Sequence, residues 1–147
     1  MPTISKAITT DWCSVKNFYK EVGYSGDIQE TDTIILAHEK SKIVGAVRLC
    51  QEEKKLVLRG MYVNPHKQRT GIGHTLLEAV SNEIGPRECW CIPYTHLCGL
   101  YGTIGFKKIP LITVPSFLAT RLGSYIENGK SVVFLERPEN WRVFPNN

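Results

Sequence analysis

The sequence predicts a mixed α/β domain. Three apolar-rich strand candidates run in succession before the first strongly amphipathic helix, and beyond it short strands and helices alternate, many ended by glycine or proline. The 147 residues, 42% of them apolar, are enough for one sizeable core and are expected to form a single domain over residues 1–147. Ordinary composition excludes the disordered and disulfide-scaffold classes. Eighteen Lys and Arg against 14 Asp and Glu give +4, an excess that suits an anionic ligand and is too small to argue nucleic acid. No apolar run reaches the roughly 20 residues of a membrane span, and the N-terminus lacks a signal-peptide core, so a soluble cytoplasmic protein is expected, with no membrane partner. The five cysteines, Cys13, Cys50, Cys89, Cys91 and Cys98, include no Cys-x-x-Cys, and no His pair has metal-ligand spacing. They read as small apolar side chains, and no metal is expected.

The elements follow in order. Ile4–Ile8 is a first strand. Thr10-Asp11 offers an N-cap to a helix carrying Trp12, Val15, Phe18, Tyr19 and Val22, and Gly23 stops it. Tyr24–Asp32 is polar and irregular and reads as a loop or a weak helical turn. Thr33–His38 and Lys42–Leu49 flank a hairpin turn, Gln51–Lys55 makes another, and Leu56–Val63 is the third consecutive strand, ended before Pro65. A helix from Gly71 to Ile84 has the apolar stripe Ile72, Leu76, Val80 and Ile84, with Gly85-Pro86 as its stop. Glu88–Ile92 is a strand, and Thr95 caps a helix with Leu97, Leu100, Tyr101 and Ile104. Phe106–Ile109 is a strand, Pro115 or Ser116 opens the next helix, Ser131–Leu135 is a last strand, and Trp141–Asn147 is a tail.

The chemistry concentrates where the Leu56–Val63 strand meets the Gly71 helix. The turn Gln68-Arg69-Thr70-Gly71-Ile72-Gly73-His74 is basic and glycine-containing. It presents unpaired backbone N–H groups at the positive end of a helix dipole, an arrangement suited to phosphate. Lys67 and Arg69 add charge, and His74 can donate. A Walker loop and a Rossmann fingerprint are both absent, because Gly71-x-Gly73 has no third glycine and no phosphate-loop lysine follows.

Gln68-x-x-Gly71-x-Gly73 after a central strand, followed about 28 residues on by Leu100-Tyr101-Gly-Thr-Ile-Gly105-Phe106, resembles the GNAT superfamily of acyl-CoA-dependent N-acyltransferases. The two motifs stand in the family's order, and the strand–helix succession from Ile4 to Leu135 fits it. The resemblance implies a central, mostly antiparallel sheet with splayed middle strands, Leu56–Val63 and Glu88–Ile92, and flanking helices. It also implies acetyl-CoA as cosubstrate, its pyrophosphate held by the amides of Gln68, Arg69, Thr70, Gly71, Ile72, Gly73 and His74. The backbone of Met61 and Val63 would pair with the pantetheine arm, and Tyr101 would be the acid that protonates the departing thiolate. Two positions depart from the family's pattern. Val57 stands where several members carry a catalytic Glu, and Tyr94 where many carry Asn.

The implied reaction is direct attack of an amine on the thioester in a ternary complex. An alkyl amine of pKa about 10.4 is neutral in about one molecule in 2,500 at pH 7, so freeing the nucleophile costs about 4.6 kcal/mol. A base or a water chain must take that proton, and Glu53, Glu88 and His96 are candidates. A backbone N–H of Met61 or Val63 can hold the oxyanion, and Tyr101 returns a proton to the thiolate. Arg59, which alternates with Met61, is either an acceptor-side charge or an ion-pair partner. The acceptor pocket falls to the loops Tyr24–Asp32 and Leu111–Phe117, where Asp27, Glu30 and Asp32 could attract a cationic amine. A small-molecule amine is the expected acceptor, for a monomer or homodimer. A protein or peptide amine, a catalytically degenerate coenzyme A sensor and a nucleotide-phosphate regulator are the alternatives.

Overall fold

A computed structural model of the chain describes residues 2–141, so the expected tail beyond Trp141 lies outside the described residues. The chain forms two compact units, Met1–Ile84 and Gly85–Asn147. Among the described residues there are seven strands and four α-helices, and every strand pairing within either unit is antiparallel.

In the first unit β1 (Thr3–Lys6), β2 (Thr33–Glu39), β3 (Lys42–Glu52) and β4 (Lys55–Val63) pair in sequence order. Two-residue turns join the last three. Lys40 and Ser41 have φ 52° and 65°, and Glu53 and Lys54 have φ 49° and 66°. Left-handed backbone at both central positions matches the right-handed twist of the flanking strands. It makes both hairpins tighter than the sequence suggested and lets β3 run on to Glu52.

Helix α1 (Trp12–Glu21) begins differently from expectation. Asp11 caps nothing with its side chain in α1. A 3-10 turn over Thr9–Asp11 precedes the helix, and Asp11 Oδ2 accepts from the Ile8 amide at 2.8 Å. The C-terminus is as read. Gly23 takes φ 81°, and Tyr24 N donates to Tyr19 O at 2.9 Å while Gly23 N donates to Lys20 O at 3.2 Å, the paired bonds of a Schellman stop. Val15, Phe18 and Tyr19 of α1 pack into one cluster with Ile34, Leu36, Ile43 and Ala46, with Tyr24, Ile28 and Tyr62 at its margin.

Helix α2 (Ile72–Ile84) buries Ile72, Leu76, Leu77, Val80 and Ile84, the stripe the spacing predicts. Gly45 of β3 makes room for it: a β-carbon there would lie 2.9 Å from Leu76 Cδ1 and 3.1 Å from Ile72 Cγ2.

In the second unit β5 (Cys89–Cys91), β7 (Leu135–Arg137) and β6 (Lys107–Lys108) pair in the order β5-β7-β6. The last strand therefore lies later than expected. Of the predicted Ser131–Leu135 only Leu135 belongs to it, and Val132 makes an isolated bridge with Tyr94. Thr95 opens a 3-10 turn, and helix α3 covers only Cys98–Gly102. Helix α4 runs from Ser116 to Glu127 after Pro115.

Filling the Gly45 gap tests the packing of α2. Gly45→Val should cost about 1–3 kcal/mol by overpacking, measured by urea denaturation. An unchanged midpoint would contradict the close approach.

Candidate functional site

The first unit carries a strand, a bulge and a phosphate-suited turn in succession. In β4 the register passes from Ala46↔Tyr62 to Arg48↔Arg59, so Gly60 and Met61 together face the single residue Val47. An extra residue of this kind interrupts the ladder and leaves a backbone group unpaired. Gly60 takes φ 62°, and a side chain there would meet Arg48 Cδ at 3.0 Å and the Tyr24 ring at 3.1 Å. Both conditions require glycine. The bulge was not legible in the sequence, and it breaks the alternation expected of Arg59 and Met61. Arg59, opposite Arg48, pairs with Glu52 at 3.3 Å, so of its two readings the ion-pair partner is the one observed.

Beyond Val63 the chain folds into the turn predicted for phosphate. Asn64 Oδ1 accepts from the His66 amide at 2.9 Å, the Gln68 amide side chain donates to Val63 O at 3.2 Å, and Thr70 Oγ1 donates to Lys67 O at 2.5 Å. Arg69 and Gly71 are left-handed, with φ 66° and 88°. The first bond of α2 is Thr75 N to Gly71 O at 3.0 Å, doubled by Thr75 Oγ1 at the same distance. The amides of Ile72, Gly73 and His74 precede that bond and have no intrahelical acceptor, which leaves three aligned donors at the positive end of a 13-residue helix. Nothing lies within 4 Å of a β-carbon placed on Gly71. Its glycine therefore answers to the backbone angle and not to crowding.

The charges around this turn are partly committed. Lys67 Nζ lies 2.8 Å from Glu39 Oε1, tying the β2–β3 turn to the phosphate turn, and His74 Nε2 lies 3.6 Å from Glu78. The hydrogen bond from Lys67 holds the Glu39 carboxyl below its ordinary value.

The loop after α1 is built on a buried ion pair. Arg48 and Asp32 side chains are each 2% exposed, with Nη2 2.8 Å from Oδ2. Arg48 Nε donates to the same Oδ2 at 2.9 Å, Nη2 donates to Asp27 O at 2.9 Å, and Nη1 donates to the Tyr24 hydroxyl. Asp32 also accepts from the Gln29 amide at 2.9 Å. The neighbouring Tyr19 hydroxyl donates to Gly60 O at 2.8 Å, so loop, ion pair and bulge form one connected body. Burial alone would lower the Arg48 pKa, but Cys50, Tyr24 and Asp32 raise it above the usual guanidinium value. Burial pushes Cys50 up to about 12 and raises Tyr19 and Tyr24. Asp32, expected to attract a cationic amine, is instead spent on Arg48. An arginine flanked by Val47 and Leu49 within a strand was the available signal for this pair.

A cavity of about 710 Å³ opens against this loop, lined by α1 from Lys16 to Lys20 and by residues 23–29. Of the three loop carboxylates only Asp27 lines it.

Met61, Val63 and Gln68–His74 are thus consecutive parts of the first unit. Tyr101 belongs to the second. It is 5% exposed on α3, and its ring meets Phe106 edge-on at 6.0 Å. Phe106 N donates to Tyr101 O at 3.3 Å. Gly105 between them has φ 98°, and a β-carbon there would fall 2.4 Å from the Trp141 ring, so the glycine of Leu-Tyr-x-x-x-Gly-Phe is fixed by conformation and by space. Arg137, 2% exposed, donates to Ile104 O at 2.7 Å and to Gly85 O at 2.9 Å, and lies 4.7 Å from the centroid of the Trp141 ring. Tyr94 stacks on His96, centroids 6.0 Å apart. Val57, in the family's glutamate position, is 1% exposed. Glu53 occupies the β3–β4 turn, eight residues before Met61 along an extended strand. At about 3.3 Å per residue that is over 20 Å, too far to act as base there. Among the described residues no group of three or more His, Cys, Asp or Glu could hold a metal, and no helix is long and apolar enough to cross a membrane.

The family profile of the acetyltransferase (GNAT) domain matches residues 7–114. Among solved structures the chain is similar to the ribosomal-protein-S18-alanine N-acetyltransferase from Escherichia coli, with a TM-score of 0.70 and 18% identity over 100% of this chain and 99% of that one. It is similar also to N-acetylglutamate synthase from Neisseria gonorrhoeae in complex with coenzyme A and N-acetyl-glutamate (TM-score 0.66, 16% identity), over 96% of this chain and 36% of that one. A third is an aminoglycoside 6'-N-acetyltransferase in complex with coenzyme A (TM-score 0.64, 12% identity), over 91% of this chain and 95% of that one. No curated protein sequence matches the chain.

Two outcomes follow from this geometry. Arg48→Met leaves the Asp32 carboxylate buried and unpaired, and should cost about 3–5 kcal/mol in chemical denaturation, whereas Arg48→Met with Asp32→Leu should recover most of it. Equal losses in the two variants would contradict the pairing. The folded-state pKa of Glu39 is depressed, so the tie to Lys67 contributes above the ordinary value of 4.5 and is lost as pH falls through the depressed one. Lys67→Ala should move the Glu39 carboxyl titration, followed by NMR, up toward 4.5; an unmoved titration would contradict the tie.

Proposed function

The chain belongs to the acetyltransferase (GNAT) family, and we propose that it transfers an acetyl group from acetyl-CoA to the primary amine of a small molecule. The observation that carries this reading is the uninterrupted run from a bulged strand end into a left-handed turn and a helix whose first three amides are free of intrahelical bonds. A diphosphate needs oriented donors and positive potential, and that turn supplies both without rearrangement.

On this reading the amides of Gln68, Arg69, Thr70, Gly71, Ile72, Gly73 and His74 hold the coenzyme diphosphate, with the Arg69 guanidinium beside them. The pantetheine arm pairs with the backbone of Met61 and Val63. The thioester carbonyl then lies by the bulge, where a backbone N–H of Met61 or Val63 stabilises the oxyanion as the amine attacks. The tetrahedral adduct collapses by breaking the carbon–sulfur bond. Tyr101 protonates the leaving thiolate and is refilled from the amide-forming ammonium. No carboxylate stands at Val57 and Glu53 is too distant, so Glu88, His96 or a water chain takes the proton from the amine. The acceptor enters the cavity beside α1, whose loop is fixed to the bulge by Arg48, Tyr24 and Tyr19. The reading needs no metal and places the protein in the cytoplasm, as a monomer or homodimer.

A free-thiol release assay with acetyl-CoA and a broad amine panel tests the activity; no thioester consumption with any amine would sink it. Tyr101→Phe should lower kcat by about 10²–10⁴-fold, the range of general acid–base contributions, with coenzyme affinity by calorimetry unchanged. Unaltered turnover would remove Tyr101 from its role. Gly71→Ala forces a β-carbon into left-handed backbone at a cost of about 1–2 kcal/mol. It should weaken coenzyme binding with little change in amine KM.

A further inference from the structure

We propose that the cavity beside α1 selects an amine that also carries an anionic group, a carboxylate or a phosphate, held by Lys16 and Lys20. The inference rests on the acetyl-transfer reading and adds the acceptor's chemical class to it.

The charges that remain uncommitted set the polarity of the cavity. The loop from Tyr24 to Asp32 reads as acidic in the sequence, with Asp27, Glu30 and Asp32, and by itself would favour a polycation. The structure removes two of these from the cavity. Asp32 is buried against Arg48 at 2.8 Å, and Glu30 does not line the cavity. Lys16 and Lys20 both line it, both are exposed, and among the described residues neither has an ion pair. Being four residues apart on α1 they stand on one face with β-carbons about 5–6 Å apart, a spacing at which two ammonium groups can share one carboxylate or phosphate. Asp27 leaves the lining at one negative charge against two positive ones, the polarity that a zwitterion meets and a diamine does not.

The position of the lysines is set by the fold. Tyr19 lies on α1 between them, and its hydroxyl donates to Gly60 O at the bulge. The cavity wall opposite is held by Arg48 through the Tyr24 hydroxyl and Asp27 O. The lysine pair and the bulge are therefore joined through Tyr19. An acceptor anchored by its anion on α1 can direct a neutral amine toward the bulge, and the length of the acceptor sets the reach.

The test uses amines of one carbon skeleton that differ in charge: 4-aminobutyrate, its amide and 1,4-diaminobutane, with 2-aminoethyl phosphate to separate phosphate from carboxylate. Each is titrated calorimetrically into the protein saturated with coenzyme A, and its turnover with acetyl-CoA is measured in parallel. The two anionic amines should bind on the order of tenfold more tightly than the amide and the diamine, and lose that preference in 0.5 M salt, where exposed charges are screened. The Lys16→Glu, Lys20→Glu double variant should reverse the preference toward the diamine while coenzyme affinity stays constant. Equal binding of all four amines, tighter binding of the diamine by the native protein, or a double variant with unchanged preference would each overturn the proposal. Preferential binding of the anionic amines with no turnover would overturn the acetyl-transfer reading and uphold the anion site; turnover led by the diamine would do the reverse.

Discussion

Arg48 places a guanidinium in the middle of β3 at 2% exposure, and the first unit is arranged around that charge. A buried cation in this position is tolerated only if its hydrogen-bond donors and its charge are met. Asp32 supplies the charge, Asp27 a carbonyl and Tyr24 a hydroxyl, and all three come from one loop. The loop has no regular secondary structure, and its polar groups are divided between Arg48 and the internal bonds of Gln29 with Asp32. On the other side of the same side chain, Gly60 must lack a β-carbon, and the bulge that β4 makes there is what interrupts the ladder at Met61. One ion pair thus connects the shape of the loop with the shape of the strand.

That connection explains why the two ends of the first unit differ in character. Around the phosphate turn the design is backbone: left-handed residues, free amides and a helix dipole, with side chains such as Gln68 and Thr70 employed to hold the turn. Around α1 the design is side chain: aromatic rings packed against one another at a tilt, with Tyr19 and Tyr24 centroids 4.7 Å apart and Tyr24 and Tyr62 5.2 Å apart. A coenzyme common to a whole family is suited by the first kind of site, because amides do not vary with sequence. An acceptor that differs from member to member is suited by the second.

The parts of the fold that were legible in the sequence are those set by periodicity and by local stops. The α2 stripe, the Schellman glycine at position 23 and the antiparallel strands from Thr33 to Val63 all follow from neighbours in the chain. The turn before α2 was legible as a turn for the same reason, since Gly71 answers to its own φ. What the sequence did not disclose depends on residues far apart. The pair Arg48–Asp32 spans 16 positions, and the Gly60 bulge is fixed by Tyr24 and Arg48 rather than by its flanking residues. Gly105 was readable only as part of a motif, and Trp141, which explains it, is 36 positions away. Asp32 was not legible as a committed carboxylate because a carboxylate's availability depends on what it is paired with.

Backbone amide chemical shifts of the 15N-labelled protein, followed as coenzyme A is added, test whether the turn from Gln68 to His74, continuous with the bulged strand, holds the coenzyme, without reference to any acceptor. The largest shifts should fall at Arg69–His74, with smaller ones at Met61 and Val63, and little change at Lys16 or Lys20. Shifts concentrated on α1 and the Tyr24–Asp32 loop, with the Arg69–His74 amides unmoved, would contradict it.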